Sequence, residues 1–255
     1  MTQRTVIAHL HLFKNAGTSV EEGLKSHFEN RWLSYDKDGA GSRVSFPELV
    51  DELRGKPQIE AVSSHQLRPP LVGDEEFRLL PLLFLRHPID RIRSAYAFER
   101  TQGADSPSSK AAATMGFVEW LDFHRSRNSA QCQNFQVFAL TPLRNEQNGA
   151  PLFNRPLEEH YKLAQTFVES IPEVGLVEYY DASWASISSW LREFFPGFNP
   201  PSVHANTTIA GRASLAERMS RLELDIGAEN FALLTSENAA DLELHRWATE
   251  RGGFA

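Results

Sequence analysis

Apolar and polar positions alternate in two rhythms along this chain. Short unbroken apolar runs predict buried strands at 5–12, 59–64, 79–86 and 174–180. Between them, apolar residues recur at helical spacing and predict helices over 19–29, 46–54, 88–102, 117–126, 130–140 and 156–170. A further helix, capped by Asp181, ends near 195, and 214–251 is helical and amphipathic. The stretches 103–114, 141–155 and 196–211 hold prolines, glycines and small polar residues and are read as loops, the first two as mobile segments that would flank a lid. Strands alternating with helices predict an α/β fold, a central parallel sheet flanked by helices, within one domain over 1–255. No internal repeat is present.

The first strand runs straight into chemistry. Residues 8–19 read Ala-His-Leu-His-Leu-Phe-Lys-Asn-Ala-Gly-Thr-Ser, and a helical pattern begins at Val20. A strand, a small-residue turn and a helix start make an anion site, because successive backbone N–H groups converge there and the helix dipole favours negative charge. Lys14 adds a full positive charge, and Thr18 and Ser19 add hydroxyls. The triphosphate loop places its lysine directly after a second glycine, whereas Lys14 precedes Gly17, the only glycine of this turn. A dinucleotide turn with three spaced glycines is absent as well.

A second motif follows the apolar run 79–85: Arg86-His87-Pro88-Ile89-Asp90-Arg91-Ile92-Arg93-Ser94-Ala95-Tyr96. Pro88 suits a helix's first turn. Arg86 falls at a strand's carboxyl end, where ligands bind in open α/β sheets. Lys14 to Ser19 resembles the 5′-phosphosulfate loop of sulfotransferases that use 3′-phosphoadenosine 5′-phosphosulfate (PAPS), and Arg86 to Tyr96 resembles the 3′-phosphate motif of the same family, with His87 where Asp is usual. The resemblance implies a P-loop-kinase-like sulfotransferase fold. It implies that Lys14, Asn15, Ala16, Gly17, Thr18 and Ser19 hold the 5′-phosphosulfate, and that Arg86 and Ser94 grip the 3′-phosphate. Fainter likenesses extend it. Gln133 to Leu140 is similar to a family helix near cofactor and acceptor, which makes Asn134 and Gln136 substrate-binding candidates; Asn206-Thr207-Thr208 with Arg212 is similar to a loop over the nucleotide, so Arg212 is a further 3′-phosphate candidate.

Sulfuryl transfer needs in-line positioning, neutralised leaving-group charge and a base for the acceptor proton. Lys14 fits the charge role. His65 ends the strand 59–64 at the sheet's carboxyl edge, and histidine as a residue type is suited to proton abstraction near neutral pH, so it is the candidate base. Ser64-His65-Gln66 also resembles the Gly-His motif of the uronyl 2-O-sulfotransferase branch. A strand-end histidine satisfied by local hydrogen bonds remains the other reading. His9 and His11 share one side of the first strand, and helical Glu21 and Glu22 offer no clear third ligand, so no metal is expected.

Composition narrows the rest. The 255 residues, 41% hydrophobic and 23% charged, suffice for a full core of ordinary globular type. A net charge of −7 argues against nucleic acid or a long polyanion as partner. The single cysteine, Cys132, rules out an internal disulfide and a thiolate zinc cluster. No apolar run approaches the length of a membrane span, and the start enters a strand without a signal pattern. Together these predict a cytoplasmic, bacterial-type enzyme acting on a small-molecule or glycan acceptor, its oligomeric state open. Two rivals stay open: a nucleotide-dependent small-molecule kinase, which needs Mg²⁺ and an Asp closing a strand, and a PAPS- or nucleotide-binding protein without turnover.

Overall fold

The computed structural model describes residues 3–39, 42–71, 73–145, 149–205 and 213–254. In chain order the elements are β1 (Arg4–Leu10), α1 (Gly17–Phe28), β2 (Trp32–Ser34), α2 (Phe46–Gly55), β3 (Ala61–Ser64), β4 (Phe77–Leu82), β5 (Phe84–Leu85), α3 (Pro88–Thr101), α4 (Pro107–Thr114), α5 (Phe117–Arg125), α6 (Phe135–Leu140), α7 (Leu157–Glu169), β6 (Gly175–Leu176), α8 (Tyr180–Leu191), α9 (Leu215–Ile226), α10 (Ala228–Glu237) and α11 (Ala239–Arg251). The main sheet is parallel throughout, in the order β2-β3-β1-β4. This is the α/β architecture expected, a central parallel sheet with helices on both faces.

Register explains the two-sided burial. Ala8 lies beside Val62 and Val6 beside Leu79, on the face covered by apolar residues of α2, α6, α7 and α11. Ile7 lies beside Ala61 and Leu80, on the face covered by α1 and α8. In α1, Val20, Leu24 and Phe28 recur at four-residue spacing and are fully buried. Each contributes about 1.5–3 kcal/mol by leaving water. A third apolar cluster joins α3, α4, α5, α9 and α10 beyond the sheet edge.

Several boundaries differ from the sequence expectation. The run 79–86 is two strands, because the chain leaves β1 after Leu82 and pairs next with β6 through β5. Pro81, which has no N–H to donate, sits on β4, one of the two edge strands of the main sheet. The late strand shrinks to Gly175–Leu176, where a Cβ on Gly175 would lie 2.4 Å from the Phe84 ring. Residues 107–114, expected as a mobile loop, form α4, with Ser106 capping the Ser109 N–H and Pro107 in the first turn. Residues 130–140 break at Asn134, whose φ of 46° ends a 3-10 turn and starts α6. Asp181 lies in the first turn of α8 instead of capping it. No helix among the described residues is long and apolar enough to cross a membrane.

Candidate functional site

Four strand ends and one helix start meet at the carboxyl edge of the sheets. The turn after β1 carries positive φ at Lys14 (65°) and Ala16 (59°), and Ala16 precedes α1 without any side-chain cap. No acidic residue lies in the first turn of α1, and the first helical bond is Val20 N–H to Ala16 O at 3.1 Å. The Gly17, Thr18 and Ser19 amides, the first-turn amides of an uncapped helix, have no protein acceptor among the described residues. A Cβ on Gly17 would lie 1.8 Å from His11 Cδ2, so only glycine fits. Thr18 is exposed, while the Ser19 hydroxyl accepts the Ala205 N–H at 3.1 Å.

Lys14 has no carboxylate partner among the described residues, and its ammonium lies 4.3 Å from the Phe98 ring centroid. Burial, and then repulsion from Arg86, hold its pKa below the ordinary lysine value. Asn15 ties the turn to the scaffold, its Nδ2 donating to Phe84 O at 2.8 Å and Gln136 Oε1 at 2.7 Å.

Arg86 follows β5. Its guanidinium donates to Asp90 Oδ2 through Nε (2.9 Å) and one terminal nitrogen (2.7 Å), and to Lys14 O at 2.9 Å. Three of its five N–H donors are thus used and two remain for a ligand. Arg218 of α9 binds the same carboxylate, Nε to Asp90 Oδ1 at 2.8 Å. Burial works to raise the Asp90 carboxyl, but the charge of Arg86 and the contacts with Arg218 outweigh it and hold the group below its usual range. Two guanidiniums on one carboxylate, together with Lys14, leave an excess of positive charge around Arg86. Arg218 gave no signal in the sequence, because 128 residues separate it from Asp90. Ser94 is half-buried on α3, one turn beyond Asp90. Arg91 instead points into the core, fully buried, 4.3 Å over the Phe135 ring.

The third group lies where β2 and β3 end. His65 Nδ1 is 2.8 Å from Asp36 Oδ2, and its backbone N–H donates to Asp36 Oδ1 at 2.9 Å. The Ser64 hydroxyl also donates to Asp36 Oδ1 at 2.8 Å. Burial works to raise the Asp36 carboxyl, but these hydrogen bonds outweigh it and keep the group ionised. A carboxylate only accepts, so neutral His65 carries its hydrogen on Nδ1 and keeps a lone pair on Nε2. Asp36 was missed because β2, three residues long, is too short to show a period.

His11 joins these groups. Its ring packs against Gly17 on one side and stacks on His65 at 3.9 Å between centroids. His11 Nδ1 lies 3.0 Å from Glu21 Oε1, and His9 Nδ1 lies 3.0 Å from Ser63 Oγ. His9, His11 and Glu21 each bring a possible ligand atom, all within 4.8 Å of one another. This corrects the expectation that Glu21 offers no third ligand to the histidine pair. Burial, and then the neighbouring His11 and His65, keep His9 neutral.

Asn134 and Gln136 stand behind the site. The Gln136 carboxamide clamps Arg86, accepting its N–H at 3.0 Å and donating to its carbonyl at 2.8 Å. Asn134 is buried and bonds Glu237 O and the Asp241 N–H, which docks α6 on α11. Arg212 and Asn206 to Thr208 lie outside the described residues.

No family model matches the chain. It is 28% identical over 248 residues to an uncharacterized protein of Archaeoglobus fulgidus, covering 94% of each chain.

Proposed function

We propose that this chain transfers a sulfuryl group from PAPS to a hydroxyl of a carbohydrate or other small acceptor. One observation carries the reading: the Asp36–His65 pair, with Nε2 of His65 left open, stands one imidazole away from an uncapped, positively charged helix start. The site fits a phosphate-rich donor. The unpaired amides of the helix start, beside Lys14 and Arg86, suit anions, and a side chain at position 17 would collide with His11.

Lys14 to Ser19 would hold the 5′-phosphosulfate. Arg86, with its two unused donors, and Ser94 would hold the 3′-phosphate, with Arg218 as a second guanidinium nearby. PAPS, when bound, supplies the sulfuryl group and a phosphate leaving group. His65 Nε2 takes the proton of the acceptor hydroxyl, and Asp36 stabilises the resulting imidazolium. Lys14 neutralises negative charge that gathers on phosphate oxygen as the S–O bond breaks. Asn134 and Gln136 act through the scaffold, Gln136 by fixing the Arg86 backbone. The single, buried cysteine favours a cytoplasmic setting.

Calorimetric titration with 3′-phosphoadenosine 5′-phosphate (PAP), AMP and ATP–Mg²⁺ tests this reading. Binding of PAP that needs the 3′-phosphate and is lost in Arg86→Ala is the expected result. Preference for ATP–Mg²⁺, or no nucleotide binding, overturns it in favour of the kinase or a non-nucleotide role. His65→Ala then separates enzyme from sensor, since an enzyme loses turnover and keeps PAP.

A further inference from the structure

Beside His65 lies a cationic cluster that none of these roles uses. The Ser64 hydroxyl accepts the Gln66 and Leu67 N–H groups at 3.0 and 3.1 Å, a tight turn that presents His65 and then Arg68. An isolated parallel bridge between Val44 and Leu67 lays the neighbouring segment alongside. Through it, Arg43 reaches across to donate to Pro69 O at 2.7 Å. Arg144, in the loop after α6, completes the group.

The three guanidiniums are half-buried, yet none forms an ion pair among the described residues. Their partners are backbone carbonyls: Pro69 for Arg43, Leu67 at 2.6 Å for Arg68, and Gly149 at 2.9 Å and Phe138 for Arg144. Each guanidinium has five N–H donors and uses only one or two this way. Nε of Arg43 and Nε of Arg144 are buried without any partner. The nearby carboxylates are engaged elsewhere, Glu48 with Lys37 at 2.6 Å and Asp36 with His65. Burial and then the charge of Arg43 push Arg68 down to about 10. Burial and then Arg68 and Arg43 push Arg144 down to about 9.

Half-buried charges are ordinarily paired, because removing them from water without a counter-ion is costly. In a chain of net charge −7, three unpaired arginines in one place are a local exception that calls for an anion. Guanidiniums suit planar or tetrahedral oxyanions, which they bind through two N–H groups at once. Arg68 follows His65 by three residues and feels the charge of Asp36, the same carboxylate that holds His65, so the cluster lies close to the proposed base.

We propose that Arg43, Arg68 and Arg144 form a pocket for an oxyanion of the acceptor, so that the sulfated molecule already carries a carboxylate, sulfate or phosphate group near its reacting hydroxyl. The term acceptor rests on the sulfotransferase reading; the anion pocket does not.

The test is titration of the protein, with and without saturating PAP, by glucose, glucuronate, glucose 6-sulfate and glucose 6-phosphate. At least one acidic sugar binds and glucose does not, and their ranking identifies the acid group. Arg68→Gln and Arg144→Gln weaken that binding by roughly tenfold or more each, with PAP affinity unchanged. The acidic sugar raises the melting temperature of the wild-type protein and not of Arg68→Gln, which shows that the variant folds and that the arginine is not merely structural. Glucose binding as well as the acids, no acid binding at all, or unaltered acid binding in both variants overturns the pocket. Acid binding that depends on Arg68 in a protein indifferent to PAP keeps the pocket and removes the sulfotransferase reading.

Discussion

Asp36 grips His65 at two points, one carboxylate oxygen on the ring Nδ1 at 2.8 Å and the other on the backbone N–H at 2.9 Å. This fixes both the orientation and the tautomer of the imidazole. Asp36→Asn replaces an obligate acceptor with a group that also donates, so the ring loses its preference for an open Nε2. Turnover is expected to fall by about two orders of magnitude, the lower range of a general base's contribution. PAP affinity stays constant. Equal losses in both would place Asp36 in nucleotide binding instead.

Gly17 and His11 occupy each other's space. A methyl group at position 17 lands 1.8 Å from His11 Cδ2, so Gly17→Ala must displace the ring that stacks on His65. The expected cost is about 1–3 kcal/mol, typical of overpacking, together with weaker PAP binding. The strain is steric, since the φ of Gly17 is not positive. The double variant Gly17→Ala/His11→Ala should therefore recover stability in urea titration. No recovery would place the strain in the helix start.

Much of this was legible in the sequence, and the gaps have physical causes. The apolar runs of β1 and β3 and the small-residue turn at 13–19 announce themselves locally, because a buried parallel strand must be apolar on both faces. Arg86 could be placed from its position after an apolar run. Its partners could not. Arg218 arrives from α9, and the Gln136 clamp from α6, through tertiary contacts that leave no local period. The helix α4 was hidden because its buried positions, Ser109, Ala111 and Ala112, are small and look like loop composition, although Ser106 and Pro107 marked its start.

Asp90 sets an acid limit on stability. Its pKa is depressed in the folded protein, so its contribution is complete above the ordinary carboxyl value and is lost as pH falls toward the lower, folded one. Removing the charge leaves the half-buried Arg86 and Arg218 guanidiniums without the carboxylate they share. Asp90→Asn is expected to cost about 3 kcal/mol at neutral pH and to flatten the acid limb of a melting-temperature profile. An unchanged acid limb would assign that loss to other carboxylates.

Cys132 reports on opening of the helical cluster beyond the sheet. It is 2% exposed beside Trp120, and burial pushes its thiol up to about 12. Reaction needs the thiolate and access, so native protein at neutral pH should resist maleimide labelling until it unfolds. Labelling rates that track global stability across urea concentrations are expected; fast labelling in native buffer would mean that this cluster opens on its own.

Lys14 ties anion binding to pH from the alkaline side. Burial and the charge of Arg86 favour its neutral form, so the ammonium is lost at lower pH than in free lysine, whereas a bound phosphate favours the charged form. Affinity for PAP should therefore decline as pH rises through that lowered value, before the ordinary 10.5. In the same range, binding should be accompanied by proton uptake, read as a dependence of the calorimetric heat on buffer ionisation enthalpy. Lys14→Met abolishes the proton uptake and weakens PAP binding at every pH. If the uptake persists in Lys14→Met, another group carries the linkage and Lys14 does not contact the ligand.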